Sequence, residues 1–317
     1  MLTLSKIAKL ASVSISTASK AFSMSPEVNE ETRQMIFDIA KKHGCFKKFF
    51  NAKYPKLVIA VICPEFESLH YTSMLARLQV ALDKRGCEIC VATTQFSKER
   101  GRELVDYYTR YARVDGIIIF DGASGLSAQG DVPIVCVGHA NEHATRVILN
   151  KRPALEEAID HFIDSGVKEI GFLGEKLTVS KEETFREILL SRGATINENF
   201  IRSGERFADG GYATVKEMIA DGKVPRAIIC AYDYLAIGAI RALTEAGYRI
   251  PEDVALIGMD DIPEAQFLNP PLSSINSNKD EACEAAADTL INMLMGRPYE
   301  KSTFVRSTLH KRRSSEI

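Results

Sequence analysis

Long hydrophobic runs are missing from this chain of 317 residues. No apolar stretch approaches the roughly 18–20 residues that a membrane-crossing helix needs. Lys6 and Lys9 interrupt the N-terminus where the apolar segment of a secretory leader would lie. A cytoplasmic protein away from membranes is therefore expected. Seven cysteines, an odd number, are scattered along the chain and do not suit a disulfide framework. Cys87 and Cys90 form a C-x-x-C, but inside an apparent strand, where residues three apart point to opposite faces. Catalytic signatures are lacking too: there is no G-x-S-x-G, no H-E-x-x-H, no phosphate loop and no G-x-G-x-x-G. The six histidines show no metal-ligand spacing, since His139 and His143 stand in a polar loop after Gly138. Neither an enzyme, nor a cofactor, nor a metal site is expected.

Charge is present and unevenly spread. Residues 1–56 hold ten Lys/Arg against four acids, a balance of +6, while the remainder carries −8. A basic end on an acidic body suits a nucleic-acid arm attached to a receptor: the positive end supplies phosphate affinity, and the acidic body limits non-specific adhesion.

The basic end has a recognisable build. Residues 4–22 contain two short helical patterns separated by a turn, a helix-turn-helix whose second helix can enter a DNA major groove. From Ile15 to Phe22 the apolar face is Ala18, Ala21 and Phe22; Ser16, Ser19 and Lys20 lie on the outer face. Small outer residues let a helix sit deep in a groove, and Lys20 can reach a guanine edge or a phosphate. Ser14 stands at an N-cap position, and Ile7, Leu10 and Ala11 are expected to face inward on the first helix. A third helix starts at the N-cap Asn29, with Glu30 and Glu31 in its first turn, and ends at Gly44. Its inner face is expected to be Met35, Ile36, Ile39 and Ala40. The residues expected to meet DNA are Thr3, Leu4, Ser14, Ile15, Ser16, Thr17, Ser19, Lys20, Asn29 and Tyr54.

Ile7-Ala8, Ala11, Val13-Ser14, Thr17-Ala18-Ser19-Lys20, Val28-Asn29 and Thr32-Arg33 together resemble the headpiece of the LacI/GalR transcriptional regulators. Two departures stand out. Lys20 replaces the usual Arg and lacks its bidentate fork; Ser12 replaces a turn glycine, where a positive φ would cost a side-chain residue some energy.

Past Leu57 apolar runs of strand length alternate with amphipathic helical stretches, which predicts an α/β body with parallel strands covered on both faces. The runs are Leu57–Cys63, Cys87–Ala92, Gly116–Phe120, Ile134–Val137, Val147–Leu149, Ile170–Leu173, Ala227–Ala231 and Val254–Gly258. A break near Ser165-Gly166 suggests two similar lobes with a ligand cleft between them. The resemblance continues through Asp233-Tyr234-Leu235-Ala236 and Gly258-Met259-Asp260-Asp261, and implies a periplasmic-binding-protein-like core of two lobes with three crossings, near 165, 276 and 301. The expected division is a headpiece at 1–46, a shortened hinge at 47–56 and a core at 57–317. Lobe one would take about 57–165 and 276–300, lobe two 166–275 and 301–317.

By the same resemblance Asp260 points into the cleft and accepts hydrogen bonds from ligand hydroxyls, while Asp261 braces the next turn. Asn150, Lys181 and Tyr232 stand where the family commonly has Asp, Arg and Asn. Tyr71, Phe207 and Asp233 complete the expected effector-binding set. Loss of an acid at Asn150, with a flexible Lys181 cation in place of a rigid guanidinium fork, shifts the cleft toward positive, so an anionic sugar derivative is expected over a neutral sugar. The link between headpiece and core is short and lacks the hinge leucine that the family wedges into the minor groove. Tyr54 takes that place in an ungapped count, with Phe50 as its rival; the alternative is that Phe49 and Phe50 pack under the headpiece.

The resulting expectation is a homodimeric regulator, a repressor of carbohydrate metabolism, binding a pseudo-palindromic operator under small-molecule control. The alternatives are a regulator whose cleft answers to a protein or a phosphorylated metabolite, a solute-binding protein, and an α/β enzyme.

Overall fold

The computed structural model describes residues 3–50, 57–112, 114–120, 132–138 and 143–317. The N-terminal unit contains helices α1 (Leu4–Leu10), α2 (Ile15–Phe22), α3 (Glu30–Lys42) and the short α4 (Phe46–Phe49). Each of the first three opens on a side-chain cap: Thr3 accepts from the Lys6 amide, Ser14 from Thr17 and Asn29 from Thr32. Ser12, in the turn between α1 and α2, has a φ of 53°, the conformation that a glycine would adopt without strain.

Ile7, Ala11, Ala21, Phe22, Ile36, Phe37 and Ala40 form the core of this unit. Two expected core residues lie outside. Leu10 is 55% exposed, because Ile7, Ala8 and Ala11 define the buried arc of α1 and Leu10 falls beyond its edge. Met35 is 43% exposed, because α3 buries Arg33, Ile36, Phe37 and Ala40 and Met35 lies on the opposite side. Buried Arg33 holds the turn before α3, donating to the carbonyls of Ser25 at 2.9 Å and Val28 at 2.7 Å. The expected domain edge at 46 also moves. Phe49 packs on the core, and Phe50 stacks on Phe46 with ring centroids 4.7 Å apart, so the chain through Phe50 belongs to this unit.

The second unit contains two six-stranded sheets. Its elements, in order, are β1 (Leu57–Cys63), α5 (Leu69–Asp83), β2 (Cys87–Thr93), α6 (Lys98–Asp106), β3 (Gly116–Phe120), β4 (Ile134–Val137), β5 (Thr145–Asn150) and α7 (Arg152–Asp164). There follow β6 (Ile170–Glu175), α8 (Val179–Ser191), β7 (Ile201–Gly204), α9 (Phe207–Ala220), β8 (Ala227–Cys230), α10 (Asp233–Glu245), β9 (Ala255–Met259), β10 (Ser273–Asn276), α11 (Lys279–Leu294), β11 (Ser302–Arg306) and β12 (Thr308–His310). The first sheet runs β11-β5-β4-β3-β1-β2 and the second β12-β10-β9-β8-β6-β7. Only β12 is antiparallel among the pairings described. The central strands β3, β4, β6, β8 and β9 are buried along their whole length, as continuous apolar runs with helices on both faces require.

The lobes interlace more than the expected ranges allow. Helix α7 packs Leu155, Ile159 and Phe162 into the core of the second lobe, so the first crossing follows Asn150 rather than residue 165. Strand β11 pairs in parallel with β5 of the first sheet, Val305 opposite Leu149, so the last crossing lies between Arg306 and Thr308 rather than at 301. Each lobe therefore borrows an element from beyond its expected range. Sheet membership, a long-range property, is invisible to local patterning.

Candidate DNA-binding face and effector cleft

On the N-terminal unit, Ile15, Ser16 and Ser19 of α2 are exposed and Thr17 and Lys20 half-buried. Thr17 is tied to its neighbour, its hydroxyl 2.8 Å from the Ser14 Oγ. Thr3, Ser14 and Asn29 spend their side chains on helix caps, while Leu4 packs partly against the core. Lys20 is ion-paired with Glu27, in the turn after α2. That acid was not among the expected residues, although it lies seven positions on in the sequence. Tyr54 lies outside the described residues. Phe50, its rival as a wedge, is instead part of an aromatic cluster with Phe37 and Phe46.

The core has a cavity of about 540 Å³ at the carboxyl ends of its strands. Tyr71, Asn150, Lys181, Phe207, Tyr232, Asp233 and Asp260 are all brought to its walls. Their roles differ. Asp260 and Asp261 follow β9 with φ values of 98° and 47°, in the left-handed region that costs a side-chain residue energy. The Asp260 amide donates to the Ile275 carbonyl at 2.8 Å, and its carboxylate is aimed at the other lobe. There it accepts from His70 Nδ1 at 3.2 Å and lies 3.4 Å from Lys151 Nζ; Lys279 Nζ donates to its backbone oxygen at 3.3 Å. Burial alone would raise the Asp260 carboxyl, but Lys151, His70, Lys279 and Lys181 together hold it well below the usual carboxylate range. Burial holds the His70 imidazole below its ordinary value, against the pull of Asp260.

Asp233 is structural. It is 1% exposed, and its two oxygens accept from Ser274 Oγ at 2.6 Å and the Ile262 amide at 2.8 Å. Burial pushes its carboxyl up to about 8, with the bonds from Ser274 and Ile262 opposing. With protein donors on both oxygens, this acid of the cavity wall braces the β9–β10 region. Asp261 does similar work, accepting from Arg312 at 2.8 Å and Asn276 at 3.0 Å.

Lys181 Nζ donates to the Ala231 carbonyl at 2.6 Å and lies over the Tyr232 ring. Tyr232 Oη accepts from the Phe207 amide at 2.9 Å, which fixes two aromatic rings on one wall. Phe207 has a φ of 64°. Sequence reasoning missed Glu65, His70, Lys151, Glu175, Arg206 and Lys279. Lys151 directly follows Asn150 at the end of β5, so strand-end position was a usable signal for it; His70 lies in the first turn of α5 beside Tyr71, which was identified. Lys279 enters from α11, more than a hundred residues away from Lys151 in the chain, and carried no such signal.

A helix-turn-helix unit and a two-lobed core with a polar cleft define a DNA-binding regulator with a ligand-binding core. Comparison with known proteins agrees. Residues 3–45 match the family described as bacterial regulatory proteins, lacI family, and residues 159–315 match the periplasmic binding protein-like domain. The chain is 24% identical over 319 residues to the HTH-type transcriptional repressor PurR of Mannheimia succiniciproducens, covering 96% of this chain and 95% of that protein. It is 26% identical over 309 residues to PurR of Actinobacillus pleuropneumoniae serotype 3, covering 93% and 91%. Its fold is shared with a lac repressor dimer bound to operator and the anti-inducer ONPF, at a TM-score of 0.77, 21% identity and coverage of 100% and 99%. It is shared also with the regulator CelR in complex with cellobiose, at a TM-score of 0.69, 24% identity and coverage of 99% and 100%. The chain thus joins a headpiece of the lacI family of bacterial regulatory proteins to a periplasmic binding protein-like domain, the arrangement of the LacI-type regulators that it resembles.

Proposed function

We propose that this chain is a cytoplasmic repressor that binds a pseudo-palindromic operator as a homodimer and is controlled by an anionic small molecule in the cleft between its lobes. The exposed face of α2 would enter the major groove, with Ser16, Ser19 and Lys20 toward the base edges. The observation that carries the ligand reading is the cation cluster about Asp260. Among the described residues Lys151, Lys181 and Lys279 surround it, and the wall's other carboxyl groups are Glu175 and Asp233, of which burial favours the neutral form of Asp233, while Arg206 is matched by Glu65. Tyr71, Phe96, Phe207 and Tyr232 add rings suited to the apolar face of a sugar. A phosphorylated or acid sugar combines the two demands. Sugar ligands have precedent on this fold in the cellobiose complex.

Thermal-shift screening of matched neutral and phosphorylated hexoses tests the ligand class. A ligand at 100 times its Kd adds about 2.7 kcal/mol of stability. Stabilisation by the phosphorylated member, weakened by Lys181→Ala, supports the reading; stabilisation by the neutral member alone, surviving that change, overturns it. Operator binding is tested by salt titration, where the log–log slope is near −0.9 per phosphate neutralised.

A further inference from the structure

Arg206 and Glu65 belong to different lobes. Arg206 precedes α9 of the second lobe, and Glu65 follows β1 of the first. They meet in a two-pronged ion pair, Nη1 to Oε2 at 2.9 Å and Nη2 to Oε1 at 2.5 Å. The guanidinium lies over the Phe207 ring of its own lobe, 4.4 Å from its centroid, and 5.5 Å from that of Phe96, which comes from the loop after β2 of the other lobe. Glu65 is 12% exposed and Arg206 31%. Their pairing therefore lies in a partly dehydrated, ring-lined setting where Coulomb attraction is less screened than at an open surface. A fork-to-carboxylate contact also fixes orientation in a way that a lysine could not. Phe96, Arg206 and Phe207 all line the cavity, so the contact forms part of its wall.

We propose that Glu65 and Arg206 form a clamp that holds the two lobes closed by the protein's own charges. The Asp260 contacts to His70 and Lys279 cross the same gap, but they lie within the ligand's cation cluster; the clamp uses groups that are already matched to each other. Lobe closure is then an equilibrium biased by the chain itself. An effector moves it only by the difference between its affinities for the closed and open arrangements. Weakening the clamp lowers the closed population, and a ligand that needs that arrangement loses apparent affinity by the same factor.

The test is an inter-lobe distance, measured without DNA or effector. It stands or falls independently of the regulator reading on which the clamp's biological sense rests. Spin labels are placed on the full chain at the exposed positions Phe66→Cys in the first lobe and Leu177→Cys in the second. The samples are diluted with unlabelled protein, and background labelling is measured on the parent. The clamp predicts a shift to longer separations in Glu65→Gln and in Arg206→Gln. The charge swap Glu65→Arg with Arg206→Glu, folded by circular dichroism, should return the distribution to that of the parent. Unchanged distributions in both single variants, or lengthening that the swap does not reverse, overturn the proposal.

Discussion

Lys20, on the outer side of α2, is bound by Glu27 in the turn that follows the helix. Both side chains are substantially exposed, 44% and 66%, so the pair is weak and solvent-screened. Before Lys20 can serve a phosphate or a base, this contact must be exchanged. Glu27→Gln should therefore tighten binding to operator and to random duplex alike, read by fluorescence anisotropy at fixed salt. Lys20→Ala should weaken operator binding by about 1–3 kcal/mol more than random binding if the lysine reads a base. Selective loss of operator affinity in Glu27→Gln would instead make the acid a base reader.

Phe50 stacks on Phe46 and meets Phe37 edge-on at 5.4 Å. Phe50→Ala should lower the thermal stability of the N-terminal unit, by about 1 kcal/mol for an aromatic contact and partial burial, and leave the bend of a bound operator unchanged. A lost bend at unaltered stability would restore the wedge role to Phe50.

Asp233 gives the stability a pH dependence of known sign. Its folded value, about 8, lies above the ordinary carboxylate range, so the folded state holds the proton more tightly. The stability it contributes is complete below about pH 4 and is lost as pH rises toward 8. Asp233→Asn keeps the shape and removes the titration. Denaturation from pH 5 to 8 should show the variant gaining on the parent as pH rises. A constant difference would mean that the Ser274 and Ile262 donors keep the carboxylate charged throughout.

Asp260 should behave oppositely. Its lowered pKa contributes stability that is present above the unfolded value near 4 and lost on acidification below it. Asp260→Asn leaves Lys151 and Lys279 without their shared counter-charge and should cost about 3 kcal/mol, as for breaking a buried pair. Adding Lys279→Met should recover part of this loss, and a double-mutant cycle measures the coupling. Strictly additive losses would show that the two residues act separately.

The N-terminal unit was the more legible part of the sequence. Its caps at Ser14 and Asn29 and its buried Ile7, Ala18, Phe22 and Ile36 follow from spacing within a few residues. The errors at Leu10 and Met35 arose where two adjacent apolar positions competed for one arc. The apolar runs of β1, β3, β4 and β6 were equally plain, but β7, β10, β11 and β12 were missed. β10 is buried but short and carries two serines, Ser273 and Ser274, where an apolar run was sought; β7, β11 and β12 have exposed positions and mixed composition.

What the sequence determined by itself is local: helix starts, strand cores, the charged N-terminal arm and the polar residues at strand ends. These depend on periodicity and on side chains that satisfy nearby backbone groups, so a short window contains the cause. The tertiary structure decided the exchange of α7 and β11 between expected lobes, the enclosure of Asp233, and the meeting of Glu65 with Arg206 across 141 residues of chain. Each depends on which surfaces pack together. An acid becomes a brace, an effector contact or half of a clamp according to the donors and the solvent that the fold leaves around it.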